Sequence, residues 1–174
     1  MKHTPQHIDI EIDKLTNSIE NVITGDSFHT DVLLIDKGDL KLITKKNGWL
    51  FNWRNEFKLP DRDVYKLTIA GNPDIVQGLV SFTEREDPIY MHLIESAPFN
   101  LGINKVYLGV PGNLIAFICR ISFHRGFDGY VSFTAKTKLI EHYVNTLGAE
   151  NIGGHLMIIN TDSALKLIDK YFKK

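Results

Sequence analysis

Cysteine, long apolar runs and an excess of charge of either sign are all missing from this sequence. The 174 residues include one cysteine, Cys119, so an intrachain disulfide is impossible and the fold depends on its core. Scarce cysteine is typical of a reducing compartment such as the cytosol. Apolar runs such as residues 32–35 are far shorter than the roughly 20 residues of a membrane helix. Acids interrupt every apolar stretch of residues 1–15, unlike a signal peptide, and we expect a soluble cytoplasmic protein without a membrane partner.

The balance of charge and the scatter of the histidines argue against two kinds of ligand. Lys plus Arg is 20 and Asp plus Glu is 21, which gives a formal net charge of −1. Because nucleic-acid-binding domains usually carry a basic excess, we predict no nucleic-acid partner. The seven histidines are scattered and a single cysteine cannot anchor a cysteine-rich site, so we predict no metal. Cys119 falls on or near the apolar side of a predicted helix, which favours packing over a nucleophilic role.

The length suits one domain, residues 1–174, in which two parts differ in texture. Residues 1–62 are irregular. Apolar residues fit one helical face over residues 12–23, which predicts a helix ended by Gly25, although Ile8, Ile10 and Ile12 alternate with acids as in a strand. We also predict a buried strand over residues 30–35 and a short helix over 39–46.

Residues 63–174 are regularly patterned. Alternation and tight turns predict an antiparallel meander of three strands, over residues 65–70, 75–82 and 90–96. Apolar spacing predicts helices over 113–125 and 137–147 and from an N-cap at Thr161, with strands over 130–134 and 155–159. The predicted fold class is therefore α/β: a mixed sheet of about six or seven strands, in which the meander continues into right-handed βαβ units, with helices on both faces.

Two local features suggest chemistry. The segment YLGVPGN (residues 107–113) leads into a helix, and a glycine turn at a helix N-terminus presents free N–H groups and the positive end of the dipole to an anion. Such a turn is equally often only a turn. Tyr143 lies on an apolar helical face in HYVNTLGA (residues 142–149), where a tyrosine is most often part of the core.

Together these features resemble the GNAT superfamily of N-acetyltransferases, over roughly residues 63–160. The resemblance implies that acetyl-CoA is the acyl donor and that an amine of a small molecule or protein is the acceptor. It implies that the pyrophosphate rests on the loop amides, that the pantetheine arm lies along the third meander strand, and that Tyr143 protonates the leaving thiolate. The residues it assigns to the cofactor are Ile94, Ser96, Gly109, Val110, Gly112, Asn113 and Leu114.

The glycine loop departs from the pattern of that superfamily, which usually reads Gln/Arg-x-x-Gly-x-Gly/Ala. Val106 stands at the Gln/Arg position and Pro111 at the second glycine. Proline offers no N–H to a phosphate but is suited to start a helix. Gly112 and Asn113 then supply the nearest free amides.

The reaction needs a polarised thioester carbonyl, a proton for the sulfur and a neutral amine. A bulge near Ile94 to Ser96 would turn backbone N–H groups toward the carbonyl, and the Ser96 side chain is a further donor. The ordinary pKa of a tyrosine, near 10, keeps Tyr143 protonated. Glu95 is predicted either to accept the amine proton, directly or through water, or to face solvent without a role.

Other side chains have two interpretations each. Lys136 and Lys138 are either solvated or within reach of a cofactor phosphate. Trp49, Phe51 and Trp53 form an aromatic cluster, which is either core or the wall of an acceptor pocket in the N-terminal part.

Two rival functions stay open beside direct acetyl transfer. The first is a non-catalytic GNAT-like module that acts through acyl-CoA or protein contacts, which the altered loop at Val106 and Pro111 favours. The second is a nucleotide-phosphate binder of another α/β family, which is weaker because the P-loop and the full dinucleotide glycine fingerprint are absent from the sequence. A homodimer is also left open.

Overall fold

The computed structural model describes residues 7–15, 18–85 and 88–172. Its strands are β1 (Ile19–Asn21), β2 (Ser27–Phe28), β3 (Thr30–Leu34), β4 (Asp63–Ile69), β5 (Gly78–Glu84), β6 (Ile89–Ser96), β7 (Tyr107–Leu108), β8 (Val131–Thr134), β9 (Glu150–Gly153) and β10 (Leu156–Ile159). Its α-helices are α1 (Trp53–Lys58), α2 (Val110–His124), α3 (Ile140–Leu147) and α4 (Thr161–Phe172). Short 3-10 turns cover Asp39–Lys41, Lys45–Asn47, Pro98–Asn100 and Thr137–Leu139.

A seven-stranded mixed sheet, ordered β3-β4-β5-β6-β8-β10-β9, forms the centre of the protein. The predicted α/β class and the number of strands are thus confirmed. Strands β4, β5 and β6 pair antiparallel as the predicted three-stranded meander, and β3 adds a further antiparallel strand beside β4. Strand β8 pairs parallel with β6 after the chain has crossed over through α2.

The predicted second βαβ unit is wrong. Strand β10 pairs antiparallel with β8, because the chain first forms β9 and turns back in a hairpin. Gly153 and Gly154 make that turn with φ of +131° and +52°, conformations that glycine adopts at little cost. Strand β9 was not predicted, since all of its residues are exposed and lack apolar alternation.

The predicted helix over residues 12–23 does not form at residues 12–15 or 18–23, and the two residues between these ranges lie outside the described part of the chain. Residues 7–15 are extended, and β1 then pairs with β2 and β7 in a small three-stranded sheet. The apolar residues that suggested one helical face are not on one face, because Ile19 is fully buried whereas Ile23 is 94% exposed. Ile8 and Ile12 are buried, so the alternation of isoleucine with acids was the correct pattern.

Three smaller predictions also need correction. Strand β3 forms at residues 30–34 but is largely exposed, because it is the edge of the sheet. The short helix over residues 39–46 is instead two 3-10 turns. The N-cap of α4 is Asn160, whose Oδ1 accepts the Ser163 N–H at 2.9 Å, while the Thr161 hydroxyl donates to the Asp128 carbonyl.

The sheet separates two apolar cores. The larger one includes side chains of α2, α3 and α4, and the smaller one includes Trp49, Trp53 and Leu93. Helices therefore lie on both faces, as predicted. Cys119 packs in the larger core, where burial raises the pKa of its thiol to about 12, in agreement with a packing role. Within the described part of the chain, no helix has the length and apolar character needed to cross a membrane.

Candidate functional site

An opening lies between β6 and β8. The two strands pair only at Ile89 with Val131 and at Tyr90 with Ser132, although β6 runs on to Ser96 and β8 to Thr134. The opening therefore follows the point where the parallel pairing stops, at the carboxyl ends of the strands, a common place for ligands in α/β sheets.

The glycine turn stands at the start of α2, as predicted, but its donors differ from the prediction. Gly109 is the N-cap, with φ of +96°, in the left-handed region that favours glycine. Pro111 lies in the first helical turn. The Asn113 N–H donates to the Gly109 carbonyl at 3.1 Å, so it is not a free amide and that prediction is wrong. The side chains of Val110 and Leu114 belong to the larger core.

Gly112 allows a close approach by a side chain of the protein itself. A Cβ at this position would stand 1.8 Å from the Tyr171 hydroxyl oxygen. Tyr171, on α4, donates that hydroxyl to the Lys14 carbonyl at 3.0 Å. The sequence analysis missed Tyr171, because nothing in its own segment indicates a contact with residues 14 and 112.

An extended segment, residues 8–14, runs through this region, and we name it the N-terminal strap. It first continues the sheet beside β8: the Ile8 N–H donates to the Thr134 carbonyl at 2.6 Å, and the Lys136 N–H donates to the Ile8 carbonyl at 3.1 Å. Ile8 also forms a parallel bridge with Ala135. The strap thus takes a position beside β8 where β6 no longer pairs.

Tyr143 is fully buried on α3 and holds the middle of the strap. Its hydroxyl donates to the Ile10 carbonyl at 2.5 Å and accepts the Ile10 N–H at 3.1 Å. Burial, ahead of the nearby acids Asp9 and Glu11, raises the pKa of Tyr143 above its ordinary value. The next residue toward the N-terminus of α3, His142, accepts the Ile12 N–H at its Nε2 at 2.8 Å. The tyrosine hydroxyl is therefore bonded as both donor and acceptor to one backbone unit.

The carboxylates of the strap meet lysines and the start of α2. Asp13 accepts the Gly109 N–H at 3.1 Å and pairs with Lys105 at 3.2 Å. Asp9 pairs with Lys136 at 2.5 Å and with Lys138 at 3.7 Å. A carboxylate thus stands at the helix N-terminus, where an anion is favoured.

Glu95 is buried on the other side of the sheet and does not face solvent. Its carboxylate accepts the Leu50 N–H at 2.7 Å, the Phe51 N–H at 3.3 Å and the Trp53 Nε1–H at 2.7 Å. Trp53 is 1% exposed and belongs to the smaller core. Glu95 therefore anchors residues 50–53 on β6.

The predicted bulge in β6 lies two residues earlier than the carbonyl-polarising role requires. Ser81 pairs with Leu93 and Phe82 with Met91, so His92 is the extra residue. Ile94 and Ser96 stay in regular pairing with β5, and both are buried.

A cleft of about 850 Å³ opens on the side of the smaller core. Trp49 and Phe99 supply apolar walls, and Asp36 lies at its edge. The Lys66 ammonium is buried here, bonded to Asp39 at 2.7 Å and to the Pro73 carbonyl at 2.8 Å. Of the three predicted aromatic residues, Trp49 alone lines this cleft. Neither here nor anywhere else in the described residues are three or more of His, Cys, Asp and Glu grouped so as to hold a metal ion.

Comparison with known proteins rests on structure, since no protein-family model and no curated protein matches the chain. One similar structure is a chimera of the spermidine N-acetyltransferase SpeG from Vibrio cholerae and hSSAT, with 15% identity, a TM-score of 0.56 and coverage of 79% of this chain and 98% of that one. SpeG from Vibrio cholerae with manganese ions has 16% identity, a TM-score of 0.53 and coverage of 79% and 95%. The KacTA–DNA complex has 12% identity, a TM-score of 0.51 and coverage of 80% and 98%.

The chain has the GNAT-type N-acetyltransferase fold. At these identities the likeness establishes the fold alone, and the spermidine, manganese and DNA named above are those of the similar proteins. The expectations of no nucleic-acid partner and no metal, and the open question of a homodimer, remain untested.

Proposed function

We propose that this protein is an N-acetyltransferase that uses acetyl-CoA and transfers the acetyl group directly to an amine. The observation that carries the proposal is the opening between β6 and β8, which faces the glycine turn of α2 and the hydroxyl of Tyr143 within a GNAT-type fold. The only cysteine is buried in the core, so the transfer does not pass through a cysteine.

The N-terminal strap indicates how acetyl-CoA would fit the site, because groups of the strap occupy the positions proposed for groups of acetyl-CoA. The Asp13 carboxylate occupies the place of an anion on the Gly109 N–H beside Lys105, and Asp9 engages Lys136. The amides of the strap take the place of those of a pantetheine arm. Gly109, Lys105 and Lys136 would therefore hold phosphates of acetyl-CoA, with Val110 and Gly112 supplying backbone at the turn. Pro111 contributes no N–H.

Acetyl-CoA, when bound, supplies a thioester carbon for attack by the amine. On the protein side, Tyr143 keeps its proton at neutral pH, because burial raises its pKa. With the strap docked, the proton on Oη is held by the Ile10 carbonyl. Tyr143 can donate that proton elsewhere only after Ile10 has moved away.

Glu95 is assigned a different role from the proton acceptor considered from the sequence. With three N–H donors on its carboxylate, it positions residues 50–53, which border the acceptor side of β6. We propose Glu95 as a positioning residue and the 850 Å³ cleft as the entry for the amine.

Binding and turnover with acetyl-CoA test the proposal. Calorimetric titration should detect binding, a thermal shift should follow because a ligand of the native state stabilises it, and free thiol should appear with a panel of amines. Tyr143→Phe should lower turnover by about 100- to 10,000-fold. The matched control is Tyr130→Phe, at a partly exposed tyrosine, which should keep full activity. Absence of acetyl-CoA binding would refute the proposed use of acetyl-CoA. Full activity of Tyr143→Phe would refute the role of Tyr143 as the proton donor.

The strap that occupies the opening between β6 and β8 favours a second, non-catalytic function. If the strap never leaves, the protein is a non-catalytic GNAT-like module, and the missing N–H at Pro111 and the engaged Tyr143 hydroxyl are consistent with that. Absence of acetyl-CoA binding would favour a module whose strap stays docked, whereas acetyl-CoA binding without turnover on any amine would favour a non-catalytic module that acts through acyl-CoA.

A further inference from the structure

The opening between β6 and β8, with the start of α2, is the proposed acetyl-CoA site, and we name it the donor groove. The N-terminal strap, residues 8–14, is bound in this groove by backbone hydrogen bonds, by ion pairs and by buried apolar side chains. Its backbone bonds come from alternate residues. The N–H groups of Ile8, Ile10 and Ile12 donate to Thr134, Tyr143 and His142. Only the Ile8 bond is to the backbone of the sheet, as when a peptide adds a strand to a sheet edge, whereas Ile10 and Ile12 are held by side chains of α3.

The negative charges of the strap pair with positive charges of lysines beside the groove. Asp9 and Asp13 pair with the lysines at positions 105, 136 and 138, and Asp13 also meets the first amide of α2. An anionic ligand that uses the same lysines and the same amide competes with these carboxylates for the same positions. Glu11 is exposed and provides an acid on the same segment for comparison.

The side chains of the strap complete the larger core. Ile8 and Ile12 are buried, with 2% and 7% exposure. Burying them favours docking of the strap, whereas ordering an extended segment has an opposing entropic cost. A ligand that offers similar contacts to the groove can displace the segment when its binding outweighs the net free energy of docking.

We propose that the strap is an intramolecular competitor of the acyl donor. It fills the groove in the free protein and leaves when acetyl-CoA binds, so the resting protein is autoinhibited. This inference rests on the proposed acetyl-CoA site, and it adds that the affinity for acetyl-CoA is set by the fraction of molecules in which the strap is undocked.

The test uses the full chain, acetyl-CoA as the probe and two kinds of variant. Ile8→Ala/Ile12→Ala loosens the strap without a change in charge, and Ile23→Ala, at a 94% exposed isoleucine, is its control. The Kd for acetyl-CoA should fall about tenfold or more in the double variant, since the apparent affinity follows the open fraction. It should be unchanged in the control.

A second pair covers the case in which the double isoleucine variant does not fold. Asp13→Asn removes the carboxylate from the Gly109 amide and from Lys105, and Glu11→Gln makes the same charge change where no described residue forms an ion pair with it. Asp13→Asn should bind acetyl-CoA severalfold more tightly than Glu11→Gln. In the unmodified chain, acetyl-CoA should speed tryptic cleavage after Lys14, which lies within the strap.

The outcomes separate this inference from the proposed function. Tighter binding in the strap variants, with faster cleavage after Lys14, supports it. Equal acetyl-CoA affinity in all variants, with cleavage unchanged by the ligand, overturns the competitor role and leaves the acetyltransferase proposal standing. No acetyl-CoA binding to any variant overturns both, and the strap is then a permanent part of the fold.

Discussion

The proposed donor groove, between β6 and β8, and the proposed acceptor-side cleft adjoin the same sheet but differ in what fills them. The groove between β6 and β8 is filled by the strap, which satisfies the Tyr143 hydroxyl and the Gly109 amide. The cleft keeps about 850 Å³ open, and its neighbouring carboxylate, Glu95, is satisfied by residues 50–53. One site is therefore filled by the strap, which we propose can leave, whereas the other is shaped by groups that belong to the smaller core.

The largest expected effect is on the acceptor side, at Trp53. Its side chain is buried in the smaller core, so Trp53→Ala should cost roughly 3–5 kcal/mol of stability. Chemical denaturation measures the loss, and acetyl-CoA affinity of the folded fraction should not change. Trp53→Phe keeps most of the ring but removes the Nε1–H bond to Glu95, and it should cost less. A Trp53→Ala protein of normal stability would mean that the residue lines a pocket instead.

Glu95 should give the next largest effect. In Glu95→Ala the N–H groups of Leu50, Phe51 and Trp53 lose their acceptor. The buried Trp53 Nε1–H costs about 1–3 kcal/mol when unsatisfied, and the two part-buried N–H groups, which water can reach, add less. We expect a loss of roughly 2–4 kcal/mol in denaturation, and a smaller one for Glu95→Gln, which retains one oxygen. If Glu95→Ala is stable but inactive, Glu95 is a proton acceptor and the positioning role is wrong.

Tyr143→Phe should destabilise the donor side by a smaller amount. The change removes the hydroxyl that bonds both ways to Ile10, while the ring keeps its edge-to-face contact with Phe133. The expected loss is about 1–2 kcal/mol, measured by denaturation, and acetyl-CoA affinity should rise because the strap is held less firmly. Unchanged stability would show that the Ile10 bonds do not hold the strap.

The smallest expected effect is the pH dependence of stability that arises from His92, the bulge residue of β6. Burial, followed by the charges of Arg62 and Arg85, lowers the pKa of His92 from 6.5 to about 4. The unfolded chain therefore binds a proton at higher pH than the native protein, so the contribution of His92 to stability is complete above pH 6.5 and is lost as the pH falls toward 4. His92→Gln should flatten the stability–pH curve in this window. Parallel curves for both proteins would contradict the assignment.

The sequence could predict what depends on local patterns. Alternation gave the meander, and helical spacing gave α2 and α3, because these elements bury one face against the sheet. The Gly153-Gly154 pair was a turn signal that could have revealed the β9–β10 hairpin. The GNAT-type fold was inferred from the resemblance of these elements, together with the glycine loop and the Tyr143 segment, to that superfamily.

The strap and the anchoring of Glu95 could not be predicted in the same way. Ile10 and Tyr143 are 133 positions apart, and Glu95 and Trp53 are 42 apart. Their contacts arise from tertiary packing, which a local sequence pattern does not predict. Residues 8–23 also carried two conflicting patterns, the alternation at Ile8, Ile10 and Ile12 and the helical spacing over 12–23. Ile8 and Ile12 are buried in the core, in agreement with the alternation.

Hydrogen exchange of the strap amides, in the 174-residue chain with and without saturating acetyl-CoA, tests the central claim most directly. The N–H groups of Ile8, Ile10 and Ile12 are hydrogen-bonded within the protein, so they should exchange slowly in the free state. Acetyl-CoA should make all three exchange faster while the amides of β4 and β5 remain protected. Bound acetyl-CoA with the strap amides still protected would show that donor and strap occupy different places, and would contradict the account.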